Sequence, residues 1–217
     1  MAKKNLRKGL FITFEGPEGS GKSTHSGLVA SLLKKEGYDI VYTREPGGTR
    51  TGDRIRNILL NLKKLDISPL TEVLLFEASR SALVQEIIKP SLEEKKIVIC
   101  DRFNDATLVY QGYAGNVPLK DIQKIESVSM QGIKPDLTIV LDIDAKKGLG
   151  KTKRQKRDRM ESKALSFHKR VRSGYLSLAR QEKQRIKVIK TEDTIDRTFK
   201  RVKIEVANVI RRYKRSG

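Results

Sequence analysis

The chain has 217 residues, 37% of them hydrophobic and 33% charged, with a formal net charge of +20 from 46 basic and 26 acidic side chains. That length fits one domain with a buried core, and the apolar residues stand in ordered blocks, which excludes a disordered tail. The single cysteine, Cys100, excludes an intramolecular disulfide, while the charge asks for an anionic partner without choosing among nucleic acid, a membrane surface and small phosphorylated molecules.

In chain order, the basic start MAKKNLRK leads only into GLFITF, too short for a signal-peptide core or a membrane span, so a cytoplasmic protein with no membrane partner is expected. Apolar runs of strand length follow at 10–15, 39–43, 97–100, 137–142 and 186–190. Between them, helical spacing covers roughly 22–36, 51–61, 69–94, 104–132, 157–183 and 194–212. Strands that alternate with helices and are apolar on both faces predict an α/β fold in three layers, a parallel sheet with helices on both sides. No repeat, Pro- or Ser-rich linker or composition break divides the sequence, so a single domain spans 1–217, with a core at 9–145 and 157–212. Cys100 closes the run KIVIC and reads as a small core residue. The glycines at 16–21 and 47–48 follow strands, and ligands of open α/β sheets bind at that edge.

GPEGSGKS at 16–23 fits the pattern G-x-x-x-x-G-K-[S/T] and lies between a predicted strand and a predicted helix, the context a phosphate-binding P-loop requires. Gly16, Gly19 and Gly21 let successive N–H groups turn toward one point, and the helix adds its positive end. Pro17, Glu18, Ser20 and Thr24 complete the cradle; Lys22 would reach the β- and γ-phosphates, and the Ser23 hydroxyl would help to hold Mg²⁺. The motif binds a nucleoside triphosphate.

The third strand ends in CDRF rather than in consecutive acids, and no N-K-x-D segment reads a guanine base. Instead the chain offers REPGGT at 44–49, LLFEASR at 74–80 and DRFNDATLVYQG at 101–112, and then a basic run after LTIVLDI. With the P-loop, these motifs in this order resemble the thymidylate kinase family from about residue 9 to residue 211. The resemblance implies a five-stranded parallel sheet, Mg²⁺ with ATP as phosphoryl donor, dTMP as acceptor, a mobile lid and usually a homodimer.

Phe76 and Arg80 are four apart and share a helix face, which suits a ring stacked on a pyrimidine beside a cation for its O4 edge; a core aromatic with a surface cation is the alternative. By resemblance these two hold the thymine, and Arg44 and Arg102 contact the acceptor phosphate. Arg56 is a further candidate there, with an exposed helix charge as its alternative. Glu18 matches the carboxylate that accepts from the sugar 3′-hydroxyl. Asp101 suits Mg²⁺ or its waters, with a capping role as the alternative. Thr107 reads the thymine edge, Tyr110 lies against the deoxyribose, and Gln111 lines the pocket. Ala106 departs from the family's pair of small hydroxyl residues, which keeps dUMP open as an acceptor.

KKGLGKTKRQKRDR at 146–159 carries eight Lys or Arg residues in fourteen. Phosphoryl transfer needs positioning and positive charge on the migrating group. Gly19 supplies no cation from the P-loop, so Lys22, Arg102 and a lid cation are the expected catalytic groups. Arg154 is the first choice in the lid, followed by Arg157 and Lys153. Arg159 packs near adenine or anchors the lid helix, Gly148 and Gly150 suit a hinge, and Thr191 is placed to give adenine a backbone contact. A nucleic-acid patch is the alternative, but no aromatic is interleaved for base stacking, and a nucleic-acid partner is not expected. His25, His168 and Cys100 form no recognisable metal site, and an ionised phosphate acceptor needs no general base. The sequence thus reads as a kinase making dTDP from dTMP and ATP, with a related kinase of dUMP or a deoxynucleoside, or a nucleic-acid-binding ATPase, as alternatives.

Overall fold

A computed structural model describes Lys4 and residues 6–62, 65–152 and 158–215. Its sheet has five parallel strands, β1 (Leu10–Glu15), β2 (Ile40–Arg44), β3 (Ile97–Asp101), β4 (Leu137–Asp142) and β5 (Ile186–Lys190), in the order β2-β3-β1-β4-β5. Each coincides with a predicted apolar run to within a residue. β1 is the central strand and is buried along its whole length. Alternate residues explain why its sequence is apolar throughout. Leu10, Ile12 and Phe14 pack toward Val29, Leu33, Val202 and Val206, while Phe11 joins Val98 and Cys100 against Leu83, Val84 and Ile88. A third cluster brings Val140 together with Val109, Val171 and Tyr175.

The helices are α1 (Lys22–Lys35), α2 (Arg50–Arg56), α3 (Pro69–Leu83), α4 (Lys89–Glu93), α5 (Asn104–Thr107), α6 (Leu119–Ser129), α7 (Ala145–Lys151), α8 (Leu165–Gln181) and α9 (Ile195–Arg215). Local chemistry starts several of them. Thr49 caps α2 by accepting from the Gly52 N–H, and Ser68 caps α3 just before Pro69, a residue suited to a first turn. Wide π-type turns at Asn57–Asn61 and Val84–Ile88 extend α2 and join α3 to α4, matching the long predicted segments.

Two predicted segments are interrupted. After α5 and a wide turn at Leu108–Tyr113, the helix predicted for 104–132 stops before α6, where Asn116 has φ 64 and Pro118 precedes the new first turn. The segment predicted to be helical from 157 becomes helix only at Leu165. The glycine hinge is also corrected: Gly148 and Gly150 lie in α7, whose first turn is capped by Asp144 accepting from the N–H groups of Lys146 and Lys147. A Cβ on Gly148 would stand 2.2 Å from the Glu18 carbonyl oxygen, so this glycine serves close packing against the P-loop rather than bending.

Parallel register delivers the functional loops to one edge. Asp101 pairs with Phe14 on one side and with Arg44 on the other, placing the P-loop, REPGGT and DRF side by side.

Candidate active site

A cleft of about 570 Å³ opens at that edge. The P-loop forms its floor, turning where only glycine fits. Gly16 has φ 137 and a Cβ there would lie 2.4 Å from the Leu141 carbonyl oxygen; Gly19 has φ 68, with the Gly148 carbonyl 2.1 Å from such a Cβ. Lys22 is buried and donates from Nζ to the Pro17 carbonyl at 2.8 Å. Burial, and then the neighbouring Arg102, pull its ammonium down to about 8, so the site favours an added anion. Ser20 Oγ is buried without a hydrogen-bond partner among the described residues, a further donor for a phosphate oxygen. The Ser23 hydroxyl donates to the Asp101 carboxylate, and Thr24 lies beside it on the cleft wall. Hydroxyl and carboxylate are hard oxygen donors that fit Mg²⁺ shared with phosphate oxygens. The described residues hold no cluster of three or more His, Cys, Asp or Glu that could bind a metal without such help.

Across the floor, Arg102 sits in a left-handed conformation with φ 69. Its Nη2 donates to Glu18 Oε1 at 2.6 Å and to the Tyr110 hydroxyl at 3.2 Å, and that hydroxyl donates to the same Glu18 oxygen at 2.6 Å. Burial pushes the Glu18 carboxyl up, but Arg102 and Lys22 outweigh it and hold it at about 2. The carboxylate is thus fixed in its acceptor form. Arg44 is exposed at the end of β2, and Arg56 faces it while donating from Nη1 to the Pro46 carbonyl at 2.8 Å. Burial and then Arg44 lower the Arg56 pKa, and Arg44, Arg56 and Arg102 are three of the four arginines that line the cleft.

At the far wall Phe76 stands with Arg80, Ala106 and Thr107. Arg80 is 1% exposed. It donates from Nε and Nη2 to Glu45 Oε2 at 2.9 and 2.8 Å, from Nη1 to Glu77, and from Nη2 to Thr107 Oγ1 at 2.9 Å. Glu126 lies 3.9 Å away. Burial alone would lower the Arg80 pKa; Glu45, Glu77 and Glu126 raise it above the ordinary arginine value. The sequence reading expects this arginine at the edge of a base by resemblance, with a surface cation as the alternative; its burial among carboxyl groups overturns the surface alternative. Glu77 was legible as its helix neighbour three residues away, but Glu45 and Glu126 were not. Gln111 also lines the cleft and donates to Glu72 at 3.0 Å.

Other residues went unforeseen. Asp158 and Glu161 line the cleft and cap each other's backbone, Glu161 N to Asp158 Oδ1 at 2.8 Å and Asp158 N to Glu161 Oε2 at 3.3 Å. Glu15 and Tyr175 stand behind Arg102. Of the nucleotide residues expected elsewhere, Arg159 does not line the cleft: it donates to the Leu59 carbonyl at 2.9 Å and to Glu72, tying its segment to α2 and α3. Thr191 lies past β5, its N–H bonded to the Asp142 carbonyl at 2.9 Å, and is likewise outside the cleft lining. Lys153, Arg154 and Arg157 fall outside the described residues; Thr152 and Asp158 on either side of them both line the cleft.

Comparison with known proteins agrees with this geometry. A family model for thymidylate kinase matches residues 14–202. A thymidylate kinase of Dehalococcoides mccartyi is 46% identical over 197 residues, covering 91% of this chain and 95% of that protein. One from Roseiflexus castenholzii is 42% identical over 201 residues, covering 86% and 88%. The crystal structure of thymidylate kinase from Ehrlichia chaffeensis superposes with a TM-score of 0.75 at 38% identity, covering 93% of this chain and 99% of that one. The chain belongs to the thymidylate kinase family, nucleoside monophosphate kinases that transfer a phosphoryl group.

Proposed function

We propose that this chain transfers the γ-phosphoryl group of ATP to dTMP, yielding dTDP and ADP for dTTP synthesis in the cytoplasm. The observation that carries the reading is that Lys22 of the P-loop and the Glu18–Arg102–Tyr110 cluster meet in one cleft, so donor and acceptor sites share a floor. On this reading Lys22 exchanges the Pro17 carbonyl for β- and γ-phosphate oxygens. Arg44, Arg56 and Arg102 take the acceptor phosphate. Glu18, kept ionised, accepts from the 3′-hydroxyl, and Tyr110 fills the space beside C2′. The thymine lies on Phe76, with Arg80 and Thr107 at its edge. Ser23 and Asp101 would hold Mg²⁺, which would supply positive charge to the donor phosphates. Arg154, with Arg157 and Lys153, would bring cations to the migrating group, Arg159 anchors their segment through Leu59 and Glu72, and Thr191 bounds the adenine side. An already ionised acceptor oxygen attacks in line, so the protein supplies position and charge rather than a base.

Self-association belongs to the same reading. Leu74 and Val128, from α3 and α6, are 49% and 77% exposed around a shallow depression that includes Ala78 and Ile125. Such an apolar face supports a homodimer.

ADP release from Mg·ATP, measured separately with dTMP, dUMP, dCMP, dGMP, UMP and single-stranded DNA, tests the assignment. Turnover should be highest with dTMP. Equal turnover with dUMP would mean that Ala106 relaxes base selection, and turnover with DNA alone would overturn the kinase reading.

A further inference from the structure

Arg102 does not stand by itself. Its left-handed backbone, φ 69, is a conformation that the surrounding structure has to enforce on a non-glycine residue, and its guanidinium must meet a phosphate at a fixed angle. Two buried groups reach it from opposite ends. Glu15, the last residue of β1, accepts the N–H of Phe103, the next residue along, at 2.7 Å through Oε1. Through Oε2 it accepts the Tyr175 hydroxyl, also at 2.7 Å, and that hydroxyl accepts from Arg102 Nη1 at 3.3 Å. Glu15 is 0% and Tyr175 1% exposed, so neither is available to a nucleotide. One carboxylate therefore grips the backbone after Arg102 and, through one hydroxyl, the tip of its side chain.

We infer that Glu15 and Tyr175 form a positioning pair for Arg102, setting the direction from which its guanidinium meets the acceptor phosphate. The inference rests on the acceptor-site reading of Arg102 given above. A purely structural pair would matter for stability and for both substrates alike. A positioning pair matters for the acceptor alone, and only while Arg102 is present.

The test is dTMP and ATP affinity by calorimetry, with thermal unfolding alongside, for the intact protein, Tyr175→Phe, Arg102→Ala and the double variant. Tyr175→Phe should weaken dTMP by about threefold to tenfold, leave ATP affinity unchanged, and shift dTMP affinity less than about twofold once Arg102 is alanine. Glu15→Gln keeps an oxygen for the Phe103 N–H but loses the acceptor for Tyr175, and should act in the same direction. Equal weakening in both Arg102 backgrounds, loss of ATP affinity in step with unfolding temperature, or no change at all would overturn the pair. If Arg102→Ala itself left dTMP binding intact, the acceptor-site reading would fall first, a result distinct from the others.

Discussion

Glu126 shows how a single side chain carries the cost of crowding carboxyl groups around the buried Arg80. It faces Arg80 at 3.9 Å, and its Oε1 is buried without a hydrogen-bond partner among the described residues. Burial lifts its carboxyl from 4.5 to about 8 in spite of Arg80, with Glu77 adding to the rise. In the unfolded chain the group ionises near 4.5, so between that pH and about 8 the folded protein holds a proton the unfolded one has lost. Stability from this group therefore falls as pH rises through that window. Glu126→Gln should leave stability unchanged at pH 4 and raise it at pH 8.5 by about 1–3 kcal/mol, read as denaturation midpoints across pH. A gain that is the same at both pH values would refute this account. Arg80 was legible in the sequence as a cation four residues from Phe76. Its excess of carboxyl partners was not, because Glu45 and Glu126 come from a loop and a helix that meet only in the folded chain.

At the scale of elements, the contact between α7 and the P-loop decides which glycines matter. Gly148 and Gly19 meet backbone to backbone, so nothing soft can yield to a methyl group. Gly148→Ala should cost about 1–3 kcal/mol and raise the KM for ATP by displacing the P-loop. Outside its own helix backbone and chain neighbours, a Cβ at Gly150 would meet no atom of the described residues within 4 Å. Gly150→Ala in the same helix should be neutral or stabilising by up to about 1 kcal/mol. Equal effects in the two variants would contradict the packing role assigned to Gly148. The strands were legible because each is a short run rich in apolar residues, a signal written within a few consecutive residues. The break between α5 and α6 was missed because apolar spacing continues across Gly115 and Pro118, although the proline marked it. α7 was missed because two glycines within seven residues argue against a helix, and the Asp144 cap outweighed them.

Over the whole molecule, charge and apolar surface lie in different places. The cleft gathers arginines, while the α3–α6 face exposes Leu74 and Val128. If that face joins two copies, Val128→Glu should convert the dimer to a monomer in sedimentation velocity at micromolar concentration, with the secondary structure unchanged by circular dichroism. A variant that sediments like the parent would exclude this face as the interface. No helix among the described residues is long and apolar enough to cross a membrane.

The sequence by itself determined the sheet, the P-loop and the order of the nucleotide motifs, since each depends on residues adjacent along the chain or one helical turn apart. Tertiary structure alone decided which groups surround Arg80 and Arg102. Glu15 and Tyr175 are 160 positions apart, and Arg80 draws a partner from 35 positions upstream. Such pairs exist only because sheet register and helix packing bring buried carboxylates to the same place, and a buried charge must find its partner there.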